Sequence, residues 1–259
     1  MDSTLLLGLV GNLPAVLIPA ARAVGVLAFM PGMNAQSVPP HLRLLLAGGI
    51  ALLVGSSVSA PANLPPDASA YMLVLLSELG LGLLVGWAVS VFLESVRWSG
   101  EVLDMQIGLR MGSFLDPTTN QGSSVLGQVY YLAALTILLA VDGHHWVLAA
   151  LARSYERIPP GSAAFSGGTL DLTLGAASSA LDLGVRVAAA GLVSLLLADV
   201  ALALMARTVP NMNVFLVGMP AKLGMGLAVL AVSAPLAAGA LGSLVGQMCH
   251  VVNLLLGGG

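Results

Sequence analysis

The side chains most able to do chemistry do not stand in any catalytic or metal-binding pattern. His144 and His145 are adjacent, so on a helix they point about 100° apart, and no His-Glu-x-x-His motif or cysteine cluster supplies further ligands. Ser123 and Ser124 follow a glycine, but no closing glycine and no nearby base complete a serine-protease motif. Cys249 is the single cysteine and lies in an apolar stretch, which is typical of a buried thiol. We therefore expect no catalytic residue, no metal site and no cofactor.

Three charged residues have a spacing that brings them together. Arg97 lies three residues after Glu94 and four before Glu101, so all three side chains share one face of a helix and can form ion pairs. A solvated helix end, an internal ion-pair network and a proton relay all fit this spacing. We treat the three residues as a buried charge network.

The composition excludes an ordinary soluble protein. Hydrophobic residues make up 58% of the chain and charged residues only 8%, whereas soluble domains carry about 25% charged residues. The formal net charge of -3 and the scattered Lys and Arg residues provide no basic surface for nucleic acid. The N-terminus carries Asp2 and lacks the basic region of a cleavable signal peptide, so we expect it to be retained. These features predict a membrane protein.

Apolar segments separated by Pro, Gly and Asn predict the helices that must position these residues. A spanning helix needs about 20 apolar residues, and the apolar segments cover residues 4–30, 41–60, 68–105, 123–161, 171–208 and 223–256. Pro14 and Pro19 should bend the first segment. Residues 162–172 are predicted to form a small-residue linker. The sequence therefore predicts an all-α, membrane-associated, multi-helix protein of long, kinked helical hairpins.

The segment between the third and fourth helices is the best candidate for a gate. Residues 104–123 contain three glycines, one proline and one asparagine, and an irregular backbone between membrane helices must lie against protein or line a watery cavity. Their apolar side chains can pack as a deformable plug that excludes small ions, namely Met105, Ile107, Leu109, Met111 and Phe114. A loop that only connects two helices is the alternative.

The glycine and alanine content predicts dense packing of helix on helix. Glycines spaced four apart occur at Gly82 and Gly86, at Gly108 and Gly112, and at Gly242 and Gly246. With 31 glycines in the chain, such pairs arise by chance, so none of them specifies a dimer. A protein surrounded by other helices fits this composition better than one surrounded by lipid.

Four stretches of the chain resemble the FliR/SctT family of the type III secretion export gate. The matching residues are Glu78, Gly82 and Gly86; Gly100, Asp104, Gln106 and Gly108; Asp116 and Pro117, with Gly143, His144 and His145 downstream; and Pro210, Asn213, Phe215, Pro220 and Lys222. The N-terminus resembles the opening of the family at Arg22, Pro31, Pro39 and Arg43. The sequence motifs DGHH and PNMNVF together favour the flagellar branch of this family over the injectisome branch.

The resemblance implies a function, a set of partners and a location. A chain of this family assembles with FliP and FliQ, and with FlhB and FlhA nearby, into a channel for unfolded flagellar subunits. The channel belongs to the flagellar basal body in the bacterial inner membrane, in contact with membrane lipid. Residues 1–170 correspond to a FliP-like part and residues 171–259 to a FliQ-like helical hairpin.

The resemblance also implies roles for two groups of residues. The family's plug loop corresponds to residues 106–122, here called the plug loop, with the candidate residues Gln106, Ile107, Gly108, Leu109, Arg110, Met111, Gly112, Phe114, Asp116, Pro117, Asn120 and Gly122. Within this set Arg110, Asp116 and Asn120 are the polar candidates for latching contacts, and Gly108, Gly112 and Gly122 allow the loop to move aside. The assembly motif comprises Pro210, Asn213, Phe215, Pro220 and Lys222.

A secondary transporter for small solutes is the alternative function. In such a protein, charged residues within the membrane, such as Glu94, Arg97 and Asp199, would bind the substrate or a coupling ion. Transporters often contain internal repeats, and the two halves of this chain show no convincing repeat. A carrier should behave as a monomer or homo-oligomer, whereas an export-gate subunit should require FliP and FliQ.

Overall fold

The architecture is all-α throughout the part of the chain that the structure describes. The computed structural model describes residues 13–30, 67–108, 124–163, 167–208 and 220–228, together with single residues at 39, 41, 42, 45, 48, 49, 53, 218 and 246. These residues form helices, turns and bends, and no strand occurs among them. The predicted fold class is therefore confirmed.

Five longer helices account for most of the described residues. They are α1 (Leu13–Ala28), α2 (Ala68–Ile107), α3 (Val125–Ala140), α4 (Gly143–Arg157) and α5 (Gly167–Thr208). Residues 220–228 are also helical. Helices α2 and α5 are each long and apolar enough to cross a membrane, and α3 with α4 would make a third span if the pair is counted as one broken helix.

The long helices match the sequence predictions closely. Helix α2 covers the predicted segment 68–105, and α5 covers the predicted segment 171–208. Pro19 lies inside α1 as expected. The six described residues of the predicted helix 41–60 are helical, whereas most of the predicted segment 223–256 lies outside the described residues.

Two predicted boundaries are wrong. The segment 162–172 is not a linker along its whole length, because α5 already begins at Gly167. The segment 123–161 is not one continuous helix, because Asp142 adopts a left-handed conformation (φ 57°) that ends α3 and starts α4. Asp is one of the few residues other than Gly that adopt this conformation readily. The backbone carbonyl of Asp142 then accepts hydrogen bonds from the first turn of α4, including His145 N at 2.9 Å.

The described residues fall into two compact units, and α2 and α5 contribute to both. The first unit contains residues 13–91 and 142–177, and the second contains residues 92–141 and 178–246. Buried apolar side chains form the core of each unit. Those of the first include Ile18, Val26, Leu27, Val85 and Leu151, and those of the second include Phe92, Leu93, Leu103, Leu126 and Leu195.

In the first unit, α1 and α2 approach each other so closely that only glycine fits at the contact. A Cβ atom on Gly82 would fall onto the backbone carbonyl oxygen of Arg22. A Cβ on Gly86 would lie 2.6 Å from the carbonyl oxygen of Val26. Small residues of this kind let two helix backbones pack directly. The Gly82 and Gly86 pair therefore joins two helices of one chain.

In the second unit, α2 packs against both α3 and α5. A Cβ on Gly100 would lie 2.6 Å from the carbonyl oxygen of Leu126 at the start of α3. On α5, the Gly184 carbonyl accepts a hydrogen bond of 2.7 Å from the buried hydroxyl of Ser99. Backbone contacts on two sides leave α2 with little freedom to shift within this unit.

We expect Gly82→Ala to destabilise the protein by about 1–3 kcal/mol, because the added methyl group overpacks a backbone contact that has no flexible side chain to yield. The matched control is Gly175→Ala in α5, where nothing lies within 4 Å of the new Cβ. There the replacement should stabilise the helix by about 0.5–1 kcal/mol. Thermal unfolding of the detergent-solubilised variants measures both effects, and equal stability of the two variants would contradict the direct backbone contact.

Candidate functional site

The first unit is built around a buried ion pair between α1 and α2. Arg22 Nε lies 2.6 Å from Glu78 Oε2, and the two side chains are 1% and 0% exposed. Arg22 also reaches the end of α4, where its Nη1 donates to the backbone carbonyl of Ser154 at 3.1 Å and to that of Ile158 at 3.0 Å. A buried charge is costly unless it is paired and hydrogen-bonded. Arg22 thus fixes three helices relative to one another.

Further contacts enclose this ion pair. The Arg22 guanidinium lies 4.6 Å from the centre of the Tyr155 ring, a distance at which a cation is attracted to the aromatic face. The Tyr155 hydroxyl donates to the backbone carbonyl of Pro19 at 2.7 Å. The backbone N–H of Gly161 donates to the other carboxylate oxygen, Glu78 Oε1, at 2.8 Å. The pair is thus surrounded by protein groups and holds the unit together.

The sequence predictions missed this pairing, although a signal was present. Arg22 and Glu78 are each isolated charges within apolar segments, and a charge inside an apolar helix usually pairs with another charge or with backbone carbonyls. Both residues also belong to the stretches that resemble the export-gate family. What the sequence did not show is that the partner of Arg22 lies 56 residues away.

In the second unit, one carboxylate joins the two sides of the plug loop. Asp104 precedes the loop on α2 and is completely buried. Its Oδ2 accepts hydrogen bonds from the Ser124 hydroxyl and from the backbone N–H of Leu126, the latter at 3.2 Å. Ser124 in turn caps α3 by accepting from the N–H of Gly127 at 2.8 Å. Negative charge is favourable at a helix N-terminus, so Asp104 fixes the start of α3 against α2.

A second carboxylate contacts the first residue of the plug loop. Asp199 on α5 accepts a hydrogen bond from Gln106 Nε2 at 3.0 Å. Its other oxygen pairs with the Lys222 ammonium. Gln106 belongs to the predicted plug loop and Lys222 to the predicted assembly motif. The structure therefore brings together members of two groups that are more than a hundred residues apart in sequence.

The described part of the predicted plug loop is its beginning. Gln106 and Ile107 form the last residues of α2 rather than an irregular segment. Gly108 has a φ of 90° and its N–H bonds to the carbonyls of Asp104 and Met105, which is how glycine commonly ends a helix. The other predicted loop residues lie outside the described residues: Leu109, Arg110, Met111, Gly112, Phe114, Asp116, Pro117, Asn120 and Gly122.

The predicted assembly motif is described only in part. Pro220 and Lys222 lie in the helical residues 220–228. Pro210, Asn213 and Phe215 lie outside the described residues. In this motif, Lys222 is the residue for which the structure shows a charged partner.

The Glu94, Arg97 and Glu101 ion pairs form as the spacing predicted, but they are not buried within this chain. Arg97 lies 3.5 Å from Glu94 and 3.3 Å from Glu101, and the side chains of Arg97, Glu94 and Glu101 are 39%, 53% and 32% exposed. Phe92 and Val96, on the opposite face of α2, are buried and make the packing contacts. The three charges therefore lie on the face of α2 that is turned away from this core.

Three potential metal ligands lie close together at the start of α4. Asp142, His144 and His145 each place one potential ligand atom within 4.8 Å of the others, so the carboxylate of Asp142 is a third candidate ligand that the sequence argument did not consider. Asp142 and His145 lie largely exposed beside the break between α3 and α4. The hydroxyl of Ser124 donates to the Asp104 carboxylate and accepts from the backbone N–H of Gly127. Its oxygen therefore serves as the N-cap of α3.

Comparison with known proteins shows which family the sequence of this chain matches. The family model described as "Bacterial export proteins, family 1" matches residues 13–248. The chain is 29% identical over 222 residues to the flagellar biosynthetic protein FliR of Escherichia coli K12, covering 85% of this chain and 84% of that protein. It is 30% identical to FliR of Bacillus subtilis 168, covering 85% of each protein. It is 31% identical over 183 residues to the Yop proteins translocation protein T of Yersinia pestis, covering 70% of each.

We expect Arg22→Met to cost about 3–5 kcal/mol of stability, because it leaves the carboxylate of Glu78 buried without a positive partner. The double variant Arg22→Met/Glu78→Gln should recover a large part of that loss, because no uncompensated charge remains. Thermal unfolding of the wild type, both single variants and the double variant gives the coupling energy. Strictly additive losses would contradict a direct interaction between the two side chains.

Arg97→Ala should cost no more than about 1 kcal/mol, because water screens both of its ion pairs. The same unfolding measurement checks this value, with Arg22→Met as the reference for a buried arginine. A loss as large as that of Arg22→Met would contradict the screening of these ion pairs by water.

Proposed function

Because the chain belongs to the bacterial export proteins, family 1, we propose that it is a core subunit of a flagellar type III protein export gate. In this proposal it forms, together with FliP and FliQ, the channel through which unfolded flagellar subunits pass. The observation that carries the proposal is the family match along residues 13–248. Two of the relatives named above are flagellar biosynthetic proteins, and each is matched along 85% of this chain.

The proposed partners fit the outer surface of the helices. Helix α5 contains 42 residues, which gives it a length of about 63 Å, roughly twice the thickness of the hydrocarbon layer. Large apolar side chains are exposed along most of this length, including Leu170, Leu174, Leu181, Val185, Val193, Leu197 and Leu204. Lipid cannot cover all of them, because the helix is too long. Helices of FliP and FliQ would cover the remainder.

The location and the other partners follow from the same proposal. The assembly would lie in the bacterial inner membrane as part of the flagellar basal body, in contact with FlhB and FlhA. The division into a FliP-like part (1–170) and a FliQ-like hairpin (171–259) belongs to the proposal as well. The proposed boundary falls near the start of α5, the helix that would begin the hairpin.

The proposed gate is the plug loop, and its surroundings suit that role. Asp104 and Ser124 hold the two sides of the loop together at a buried contact, while Gly100 brings α2 and α3 into backbone contact just beneath it. A rigid base of this kind lets a loop move without disturbing the helices that carry it. Apolar residues such as Met111 and Phe114 would then form the seal.

An injectisome export gate is the second candidate, supported by the match to the Yersinia protein. That match covers 70% of this chain, compared with 85% for the flagellar relatives, so the flagellar gate is preferred. The secondary transporter is less well supported. Asp199, Glu94 and Arg97, the charges that it would use, are all engaged in ion pairs.

The proposal is tested by replacing residues 109–122 with a Gly/Ser linker while keeping Asp104, Gln106 and Ser124. The variant is co-expressed with FliP and FliQ, and we expect a discrete hetero-oligomer because the described helices keep all of their contacts. The closed channel should then leak, which is measured as ion conductance or as sensitivity of the cells to small molecules. Met111→Ser and Phe114→Ser should each produce part of this leak.

The control replaces residues 61–66, a Pro-rich segment elsewhere in the chain, with the same kind of linker and should leave conductance at background. Background conductance of the assembled 109–122 variant would show that the plug loop is not the seal. Expression of this chain alone should yield a product that is less stable and more heterogeneous than the complex co-expressed with FliP and FliQ. A well-behaved monomer that binds neither FliP nor FliQ would contradict the export-gate assignment.

A further inference from the structure

The start of α4 brings two imidazoles and one carboxylate together within four consecutive residues. Asp142, His144 and His145 each offer one potential ligand atom, and these atoms lie within 4.8 Å of one another. Imidazole nitrogens and carboxylate oxygens are ligands that Zn²⁺ and related ions prefer. Among the described residues, this is the one place where three such side chains meet.

The two histidine rings lie side by side. The sequence argument against a metal site was that adjacent residues of a helix point about 100° apart. In the structure, however, the ring centres of His144 and His145 are 4.1 Å apart, and the ring planes are inclined by 40°. The side-chain torsions therefore bring the rings together, and the angle between the two backbone positions does not prevent both residues from binding one ion.

The carboxylate of Asp142 faces a histidine instead of capping the helix. Asp142 is the N-cap residue of α4, a position where an aspartate side chain usually accepts a hydrogen bond from the first turn, but it makes no such bond here. Its Oδ1 lies 3.4 Å from His145 Nδ1. Two ligands that bind a tetrahedral Zn²⁺ at about 2.1 Å are themselves about 3.4 Å apart. This pair of atoms therefore already has the spacing that a metal ion requires.

One nitrogen of the cluster is buried without a hydrogen-bond partner. His144 Nδ1 is hidden from solvent, and none of the described groups bonds to it. A buried polar atom is normally hydrogen-bonded, and a metal ion at this nitrogen would supply the missing interaction. The side chains of Asp142 and His145 are 70% and 68% exposed, so they can rotate to shorten the longest of the three separations.

We propose that Asp142, His144 and His145 form a binding site for one divalent transition-metal ion of the Zn²⁺ class. Two imidazole nitrogens and one carboxylate oxygen fill three positions of a tetrahedron, and water takes the fourth, since Asp142 and His145 face solvent. The ion would join the left-handed residue Asp142 to the first turn of α4 and so stabilise the start of this helix. This site goes beyond the proposed export function and does not depend on it.

The test measures binding of ZnCl₂ and CoCl₂ to the full-length chain, purified in detergent without a histidine tag and stripped of metal with EDTA. Isothermal titration calorimetry should show one Zn²⁺ bound per chain, and Co²⁺ should develop the visible absorption of a tetrahedral ion. Zn²⁺ should displace Co²⁺, whereas excess MgCl₂ should not, because imidazole ligands favour transition metals over Mg²⁺. Displacement by MgCl₂ would indicate a non-specific acidic surface and overturn the inference.

Asp142→Asn is the most informative variant, because asparagine also adopts the left-handed conformation and the turn stays in place when the anionic ligand is lost. Asp142→Asn, His144→Gln and His145→Gln should each raise the dissociation constant of Zn²⁺ at least about tenfold, the smallest effect expected even for a residue that only orients a ligand. Zn²⁺ should raise the Tm of the wild type but not that of Asp142→Asn. In EDTA the two proteins should unfold at the same temperature.

The matched controls are the other residues of the chain that carry an imidazole or a thiol, namely His41, Cys249 and His250. His41→Gln and Cys249→Ser/His250→Gln should leave the dissociation constant unchanged. Loss of binding in these controls, or an unchanged dissociation constant in Asp142→Asn and His145→Gln, overturns the inference.

If the chain alone is too unstable to titrate, the same variants are compared in the complex with FliP and FliQ, where the partners contribute equally to the wild type and to each variant. An equal dissociation constant in the wild type and in His145→Gln overturns the inference there as well. A chain that binds Zn²⁺ through these residues but does not assemble with FliP and FliQ would contradict the proposed function alone.

Discussion

A guanidinium placed inside an apolar helical unit depends on the chain itself for its acceptors, and much of the first unit is arranged around Arg22. One carboxylate, one hydroxyl and two backbone carbonyls accept from its Nε and Nη1, and an aromatic ring covers the face of the cation. Its Nη2 has no acceptor among the described residues. These groups come from α2, from the end of α4 and from the turn that follows it. The close approach of Gly82 to the backbone of Arg22 belongs to the same arrangement, because a larger residue there would push Arg22 away from Glu78.

In the second unit the charged groups are carboxylates, and they likewise obtain their hydrogen-bond donors from the chain itself. Asp104 and Asp199 are the carboxylates, and their donors are a hydroxyl, a backbone N–H, an amide and an ammonium. Asp104 lies in the last turn of α2, and Asp199, within α5, bonds to Gln106 in that same turn. In an apolar protein the end of a helix is where the backbone loses its own hydrogen bonds. Polar side chains therefore concentrate around the end of α2.

The sequence predicted the long helices well and the contacts between them poorly. Hydrophobic length alone located α2 and α5 to within a few residues, because a long apolar stretch has few other ways to satisfy its backbone. The break at Asp142 was missed, since a left-handed aspartate leaves no more than a weak signal in the sequence. The pairing of Arg22 with Glu78 could have been suspected from two isolated charges, but its geometry depends on packing over long sequence distances. The spacing of Glu94, Arg97 and Glu101 predicted their ion pairs. Their exposure depends on which face of α2 packs against the other helices. The sequence does not specify this face, because α2 has apolar residues on every side.

The buried contact of Asp104 with Ser124 has a consequence for how this region can change in length. Because Asp104 and Ser124 hold the two ends of the intervening segment together, each doubling of its length by a flexible insertion would cost only about 0.6 kcal/mol of loop-closure entropy. Insertions there strain neither α2 nor α3, because the helices are joined beneath the point of insertion. The region can therefore accept a foreign segment whose own ends lie close together, such as a small folded tag. A chain of this kind can acquire differently sized loops during evolution while its helical framework stays the same.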